Sequence, residues 1–254
     1  GDASFGHWGF VAGTVDNTAR FLKVKEYCTA TELSVLVPFD VLPYMIDNQT
    51  VATDEKLFLH GAQGSRPTIK LNDDVNFSLI DTAGLAEVLC RDIIFDGNRA
   101  NQTGGHCVRS GGNAKLHLYD CTFLNAQDYG MGSQSGAALD LYIKDCDVDG
   151  CGLDAIDIKD KDSLNNTVRI ENFKFKNIGL SGETTSTGVD LRGPFDVDGV
   201  DGIFPAQLDG IRTRASSTNG PAGNGRLRNC HVKSDSTTST VAYYFDHDSG
   251  VVTA

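Results

Sequence analysis

A parallel β-helix, an all-β solenoid in which each turn of chain stacks on the last, is the fold class this sequence predicts, and three observations carry it. A seven-residue phrase recurs as RDIIFDG (91–97), YDCTFLN (119–125), KDCDVDG (144–150), ENFKFKN (171–177) and RNCHVKS (228–234). Its third residues, Ile93, Cys121, Cys146 and Phe173, stand 28, 25 and 27 residues apart, and Cys230 follows after 57, about two further turns. Composition agrees: 28 glycines with plentiful Asn, Asp, Ser and Thr supply turns, while 2 methionines and few Ala-Leu-Glu-Lys runs leave little for helices. Short strands and Gly/Asn turns at this period suit turns stacked at roughly 4.8 Å.

The first element in chain order is a short capping helix, TARFLKVKEYC, with Asn17 or Asp16 as its N-cap. Phe21, Leu22, Val24 and Cys28 form its apolar stripe, which plugs the open end of the solenoid, and Trp8 is placed at the same entrance. ELSVLVPFDVLPYMI and KLFLHGAQGSRPTIKL then read as strand-turn-strand, punctuated at Gly61 and Gly64. Residues 1–56 are grouped as the cap with its first strands, and 57–254 as the coils. The chain opens at Gly1 and stops just after VAYYF, so it is expected to be a piece of a longer protein.

Within each phrase the third and fifth residues point inward, because side chains alternate faces along a strand. Cys121, Cys146 and Cys230 become rungs of an internal ladder. The seven cysteines show neither a CxxC pair nor an even set, and a chain this long buries a core without staples. Free buried thiols and synthesis in a reducing cytoplasm are expected.

The stretch DCDVDGCGLDAIDIKDKD (145–162) opens like an EF-hand calcium loop. Position 12 is Ile156 where that loop needs a bidentate Glu, and Leu139, Leu141 and Ile143 before it alternate as in a strand. Asp145, Asp147 and Asp149 are therefore read as projecting from one outer face, with Cys146 and Val148 inward and Gly150 at the corner. A better calcium candidate is FDVDGVDG (195–202), which places Asp196, Asp198 and Asp201 in an expected loop between turns, with Asp-Gly turn chemistry as the alternative.

The formal charge of −12 argues against nucleic acid and anionic membrane as partners, since phosphate binding needs clustered Lys and Arg. No apolar run approaches the roughly 20 residues of a membrane span, and the N-terminus carries neither a basic n-region nor an h-region. His247, between two acids in YYFDHDSG, reads as a turn residue.

The segments GTVDNTARFLKVKEYC, LSVLVPFDVLPYMI, LFLHGAQGSRPTI and IIFDGNR resemble the start of the pectate-lyase-like right-handed β-helix proteins, over residues 9–180. That group includes polysaccharide lyases, glycoside hydrolases, uronan epimerases and bacteriophage tailspikes. The resemblance implies a single-stranded right-handed parallel β-helix with a carbohydrate along its outside, and it specifies fold better than reaction. Its epimerases carry Asp-Pro-His-Glu after Tyr-Gly-Phe. Here YGMGSQS has Gly132, Ser133, Gln134 and Ser135 at those positions, so the acid and the histidine are missing.

The strands after each phrase are HCVRSGG (106–112), YGMGSQS (129–135), DAIDIKD (154–160) and TGVDLRG (187–193). Turning Val108, Met131, Ile156 and Val189 inward puts Arg109, Gly132, Asp157 and Asp190 in one outer column and Gly111, Gln134, Lys159 and Arg192 in the next. Asp157 and Asp190 would lie about 5 Å apart on neighbouring turns. They are read either as the acid and nucleophile of a glycosidase or as a surface ladder of aspartates paired with Lys and Arg. Alternatively, Lys159 or Arg192 neutralises a uronate, or takes the proton alpha to its carboxylate, in a β-elimination. Arg109, Gln134 and Tyr243 are the candidate substrate-binding residues, with Tyr243, Tyr244 and Phe245 equally readable as one more strand.

The leading functional expectation is a bacteriophage tailspike or tail-fibre domain that binds, and in its active form depolymerises, a bacterial surface polysaccharide. From the resemblance it would be a homotrimer in the virion tail among other tail proteins. The alternatives are a stand-alone extracellular lyase or hydrolase and a non-enzymatic structural virion component. No cofactor is expected apart from the calcium candidate.

Overall fold

Each turn of chain bends where a residue takes left-handed backbone, and the recurring phrase marks those places. Its second residue is the first corner: Asp92, Asp120, Asp145, Asn172 and Asn229 have φ of 55, 51, 55, 50 and 51°. The second corner falls at its end, at Asn125 (51°), Gly150 (83°) and Asn177 (52°), or one residue beyond it, at Asn98 (55°). Asn and Asp tolerate this conformation better than other side chains, whereas β-branched residues do not, which explains the polar residues at fixed offsets.

The structure is a computed structural model that describes residues 3–62, 64–133, 140–159, 167–182, 186–205, 209–214, 225–234 and 242–246. Between the corners the chain forms three parallel faces. Face one stacks Val35–Val37, Lys56–Gly61, Glu87–Arg91, Lys115–Tyr119, Asp140–Lys144, the starts of Thr167–Lys176 and Phe195–Phe204, and Gly225–Arg228. Face two stacks Tyr44–Ile46, Thr68–Leu71, Ile94–Asp96, Thr122–Leu124, Asp147–Asp149, the ends of the same two long strands, and His231–Ser234. Face three stacks Gln49–Val51, Ile80–Thr82, Val108–Ser110, Met131–Ser133, Ile156–Ile158, Thr187–Leu191, Asp209–Arg214 and Tyr243–Asp246. The strands at 35–51, grouped with the cap in the sequence reading, already pair in register with the next turn.

The core fills the prism between the faces. Third and fifth phrase residues both point inward: Ile93, Cys121, Cys146, Phe173, Phe95, Phe123, Val148 and Phe175 are buried. Phe95 and Phe123 stack with centroids 6.0 Å apart, and each such burial is worth about 1.5–3 kcal/mol. Cys230, on the last described turn of its face, is half-buried. The long gap before it contains a turn without the phrase, since Val200 pairs with Phe173 and Asp201 pairs with His231.

That turn corrects one expectation. FDVDGVDG is a strand, Phe195–Phe204, rather than a loop, and Gly199 takes the left-handed corner with φ of 77°. Its aspartates face neighbouring turns: Asp196 meets Arg226 at 3.2 Å and Arg228 at 3.1 Å, and Asp198 accepts from Asn229 at 2.8 Å. Asp201 is exposed on the same strand. Asp145 and Asp149 are bound likewise, accepting from Asn172 at 3.0 Å and Asn177 at 2.6 Å, while Asp147 faces Arg66 at 3.2 Å.

The capping helix α1 (Thr18–Thr31) closes the N-terminal end. Asp16, not Asn17, caps it by side chain, accepting from the Thr18 amide at 2.9 Å; Asn17 turns inward and donates to the Val11 and Val15 carbonyls. Phe21, Val24 and Cys28 are buried as expected, but Leu22 is exposed and Lys25 takes the fourth buried place, paired with Glu55 at 3.0 Å. Trp8 packs edge-on against Tyr27 of this helix. No helix among the described residues is long and apolar enough to cross a membrane.

Candidate functional site

Face three departs from the regular pattern. Its register is the expected one: Val108, Met131, Ile156 and Val189 stack inward, and Arg109, Gly132, Asp157 and Asp190 stack outward. The outer column continues to Asp81 at one end and Arg212 at the other. Its burial is not that of a surface ladder, because Asp157, Asp190 and Arg192 are 2, 0 and 2% exposed although they lie outside the solenoid core.

These groups form a chain of alternating charge. Lys159 Nζ lies 2.8 Å from Asp157, Arg192 reaches Asp157 at 3.7 Å and Asp190 at 3.0 Å, and Arg212 reaches Asp190 at 2.7 Å and Asp209 at 3.7 Å. Buried Asp154 joins them and accepts from the Thr187 amide. Burial, reinforced by Asp157 and Asp190, pushes the Asp154 carboxyl well above the usual range. Burial and then Asp190 push Asp157 up, with Lys159 and Arg192 opposing.

Asp154, Asp157 and Asp190 each offer a carboxylate oxygen within 4.8 Å of the others, an oxygen donor set of the kind hard cations take. Lys159, Arg192 and Arg212 already balance that charge. The expected acid-and-nucleophile pair is therefore assembled but enclosed: Asp157 and Asp190 contact cations of their own chain, and Arg192 is as buried as they are. Lys159 differs, since it also lines an open cleft.

That cleft, of about 620 Å³, crosses several turns and is lined by Phe77, His106, Arg109, Asp128, Tyr129 and Lys159. The Arg109 and Lys159 side chains are 34 and 32% exposed, so both cations stay reachable while pairing with Asp81 at 3.3 Å and with Asp157. Lys159 Nζ sits 5.1 Å from the Tyr129 ring centroid. The Tyr129 and His106 rings lie 4.7 Å apart. Gly132 makes this possible, because a Cβ there would meet His106 at 3.1 Å and Tyr129 at 3.2 Å.

Burial, then the charges of Arg109 and Lys159, lower the His106 pKa to about 3, so its imidazole is neutral across the ordinary pH range. Its Nδ1 is 3.7 Å from Asp128, which accepts from the Gly105 amide at 2.7 Å. Burial, then Asp157, raises the Tyr129 hydroxyl above the usual phenol range.

Of the expected substrate contacts, Arg109 is in the cleft, whereas Gln134 lies outside the described residues, as does the expected turn residue His247. Tyr243 is not in the cleft. It pairs with Ile211 in the inward row of face three and its hydroxyl donates to the Cys230 carbonyl at 2.5 Å, yet it stays 38% exposed on the last described turn.

Sequence reasoning missed His106, Tyr129 and Asp154 as a set. Each stands two residues before an inward residue, Val108, Met131 or Ile156, and so they form an entry column beside the predicted one. Arg212 was missed too, although GIR at 210–212 repeats the Gly-apolar-charged order of GVD at 188–190.

No family model and no curated protein matches the chain. Solved structures that align along nearly all of it include two with glycan-related names. Pantoea stewartii WceF, a glycan biofilm modifying enzyme with a bacteriophage tailspike-like parallel β-helix fold, aligns over 98% of this chain and 38% of its own, with a TM-score of 0.43 and 13% identity. The A-module of Azotobacter vinelandii mannuronan C-5 epimerase AlgE4 aligns over 98% of this chain and 100% of its own, with a TM-score of 0.35 and 12% identity. The chain thus spans well under half the length of the first of them.

Proposed function

We propose that this β-helix binds a carboxylate-bearing polysaccharide in the face-three cleft, as the glycan-recognition part of a bacteriophage tailspike or tail-fibre protein that acts as a homotrimer in the virion tail. The observation that carries the glycan reading is the cleft itself: in a chain of net charge −12 it presents two reachable cations, Arg109 and Lys159, beside the Tyr129 ring. Cations hold sugar carboxylates, and an aromatic ring packs on the apolar side of a pyranose. The virion setting is supported by the seven free thiols, all but Cys230 buried, in a fold whose glycan-binding members include tailspikes.

One observation favours a lyase over a binding module alone. The His106 ring against Tyr129, with Arg109 and Lys159 lining the same cleft, places a proton acceptor and a hydroxyl beside two cations, the groups a β-elimination uses. The imidazole takes the proton alpha to the uronate carboxylate, whose charge Lys159 or Arg109 offsets. The electron pair forms the C4–C5 double bond, the C4–O bond breaks, and the Tyr129 hydroxyl protonates the departing oxygen.

The test is calorimetric binding to a panel of uronan and capsular polymers, with absorbance at the ultraviolet edge followed for an unsaturated product. Lys159→Ala is expected to weaken binding, and His106→Gln to abolish product while binding persists. New reducing ends without that absorbance would transfer the chemistry to a hydrolase, and no binding to any polymer would overturn the glycan reading. Light scattering on the full-length chain tests the trimer, which a clean monomer would exclude.

A further inference from the structure

One side chain of the cleft is spent in an unusual way. Phe77 is 64% exposed at its N-terminal end, whereas Phe95, Phe123 and Phe173 are fully buried. The backbone that carries it is firmly held. The Asn76 amide donates to Gln102 Oε1 at 2.7 Å, the Thr103 amide and hydroxyl donate to Asn76 Oδ1 at 2.6 and 2.9 Å, and the Asp74 amide donates to the Asn101 carbonyl at 3.0 Å. Asn76 itself takes left-handed backbone, with φ of 58°. The Phe77 carbonyl sits so close to Gly105 that a Cβ there would lie 2.2 Å from it. Singly exposed apolar residues are ordinary on a surface, but this one stands on a held backbone at the lip of the cleft, where a ligand lying along the column would meet it.

The lining residues climb the solenoid one turn at a time, from Phe77 to His106 and Arg109, then Tyr129, then Lys159. At 4.8 Å per turn the span from Phe77 to Lys159 is about 14 Å, the length of a short run of sugars rather than of one ring. Its ends differ in chemistry, apolar at Phe77 and cationic at Lys159.

Resting on the reading of this cleft as a glycan site, we infer that Phe77 is the stacking platform of a distal subsite, receiving the apolar side of a sugar ring about three turns from the one held by Lys159. The glycan then runs parallel to the solenoid axis, and only a chain long enough to span the cleft gains from Phe77.

Titration calorimetry with galacturonate oligosaccharides of two lengths, disaccharide and hexasaccharide, tests this. Phe77→Ala is expected to weaken hexasaccharide binding by up to about tenfold and to leave the disaccharide unchanged, while Phe77→Tyr keeps wild-type affinity at both lengths. Lys159→Ala is expected to weaken both. Unchanged hexasaccharide affinity in Phe77→Ala, or equal loss at both lengths, overturns the subsite while leaving the glycan site standing. A wild-type chain that binds neither oligosaccharide overturns both. A thermal melt of each variant separates lost contact from lost fold, since the exposed ring is expected to be dispensable for stability.

Discussion

Aspartates recur in two regions of this solenoid and meet opposite environments. On faces one and two and their corner, Asp145, Asp149, Asp196 and Asp198 sit half-exposed, each bound by an Asn or Arg of a neighbouring turn. On face three, Asp157 and Asp190 are buried and tied into a chain of cations, with buried Asp154 beside them accepting from the Thr187 amide. Asp145 is there because left-handed backbone accepts it, and the other three project from strands to tie neighbouring turns together. Those of face three must be there for their charge, because burying a carboxylate is costly unless it is paired. A repeat therefore reports what the fold needs, and the turns where residue type outruns that need point to the site.

The sharpest way to break this contrast is Asp190→Ala, which removes the carboxylate that both Arg192 and Arg212 contact. Breaking a buried pair costs about 3–5 kcal/mol; a urea midpoint close to wild type would show that the network is not a structural unit. Next in size is Lys159→Met, where loss of a charge-assisted contact is expected to lower affinity for uronan about ten- to a hundredfold, and stability by about 1–3 kcal/mol because buried Asp157 loses its nearest cation.

Acid titration of stability separates the carboxyl network from the cleft. The folded His106 pKa of about 3 lies below the unfolded value of about 6.5, so the unfolded chain takes up the extra proton first. Its contribution is lost as pH falls from about 6.5 towards 3, and His106→Gln should flatten that slope in urea melts at stepped pH. Asp154 works in the opposite sense: its folded pKa is raised, so its contribution is best below about 3.9 and is lost as pH rises. Asp154→Asn should accordingly gain on wild type as pH is raised, and a parallel pair of curves would contradict the burial argument.

Away from face three the effects shrink. Asp145→Ala places a Cβ-bearing residue without a polar side chain at φ of 55° and should cost about 1–2 kcal/mol, while Asp145→Gly should be close to neutral. Asp196→Ala, losing two arginines whose side chains are 70 and 47% exposed, should change stability by about 1 kcal/mol or less.

Much of the fold was readable in the chain because it is written in spacing. The phrase, its inward third and fifth residues, and the outer column of Arg109, Gly132, Asp157 and Asp190 all follow from period two within a strand and a near-constant turn length. Where a turn lacked the phrase, as at 195–204, the reading faltered and a strand was taken for a loop. Leu22 and Lys25 exchanged expected places because the helix was read as a stripe, without the Glu55 that draws Lys25 inward.

The site was only half legible. Sequence alone determined the stacking, the corners and which side chains share a column, since these depend on offsets along the chain. Tertiary structure decided which of those columns is open to solvent. Register says that Asp157 and Lys159 both face outward, but only the surroundings leave Lys159 at the cleft while enclosing Asp157 among Arg192, Asp190 and Asp154. Burial and electrostatic balance depend on residues of other turns, as with Asp190 and Arg192 beside Asp157, and they are properties of the packed solid rather than of its period.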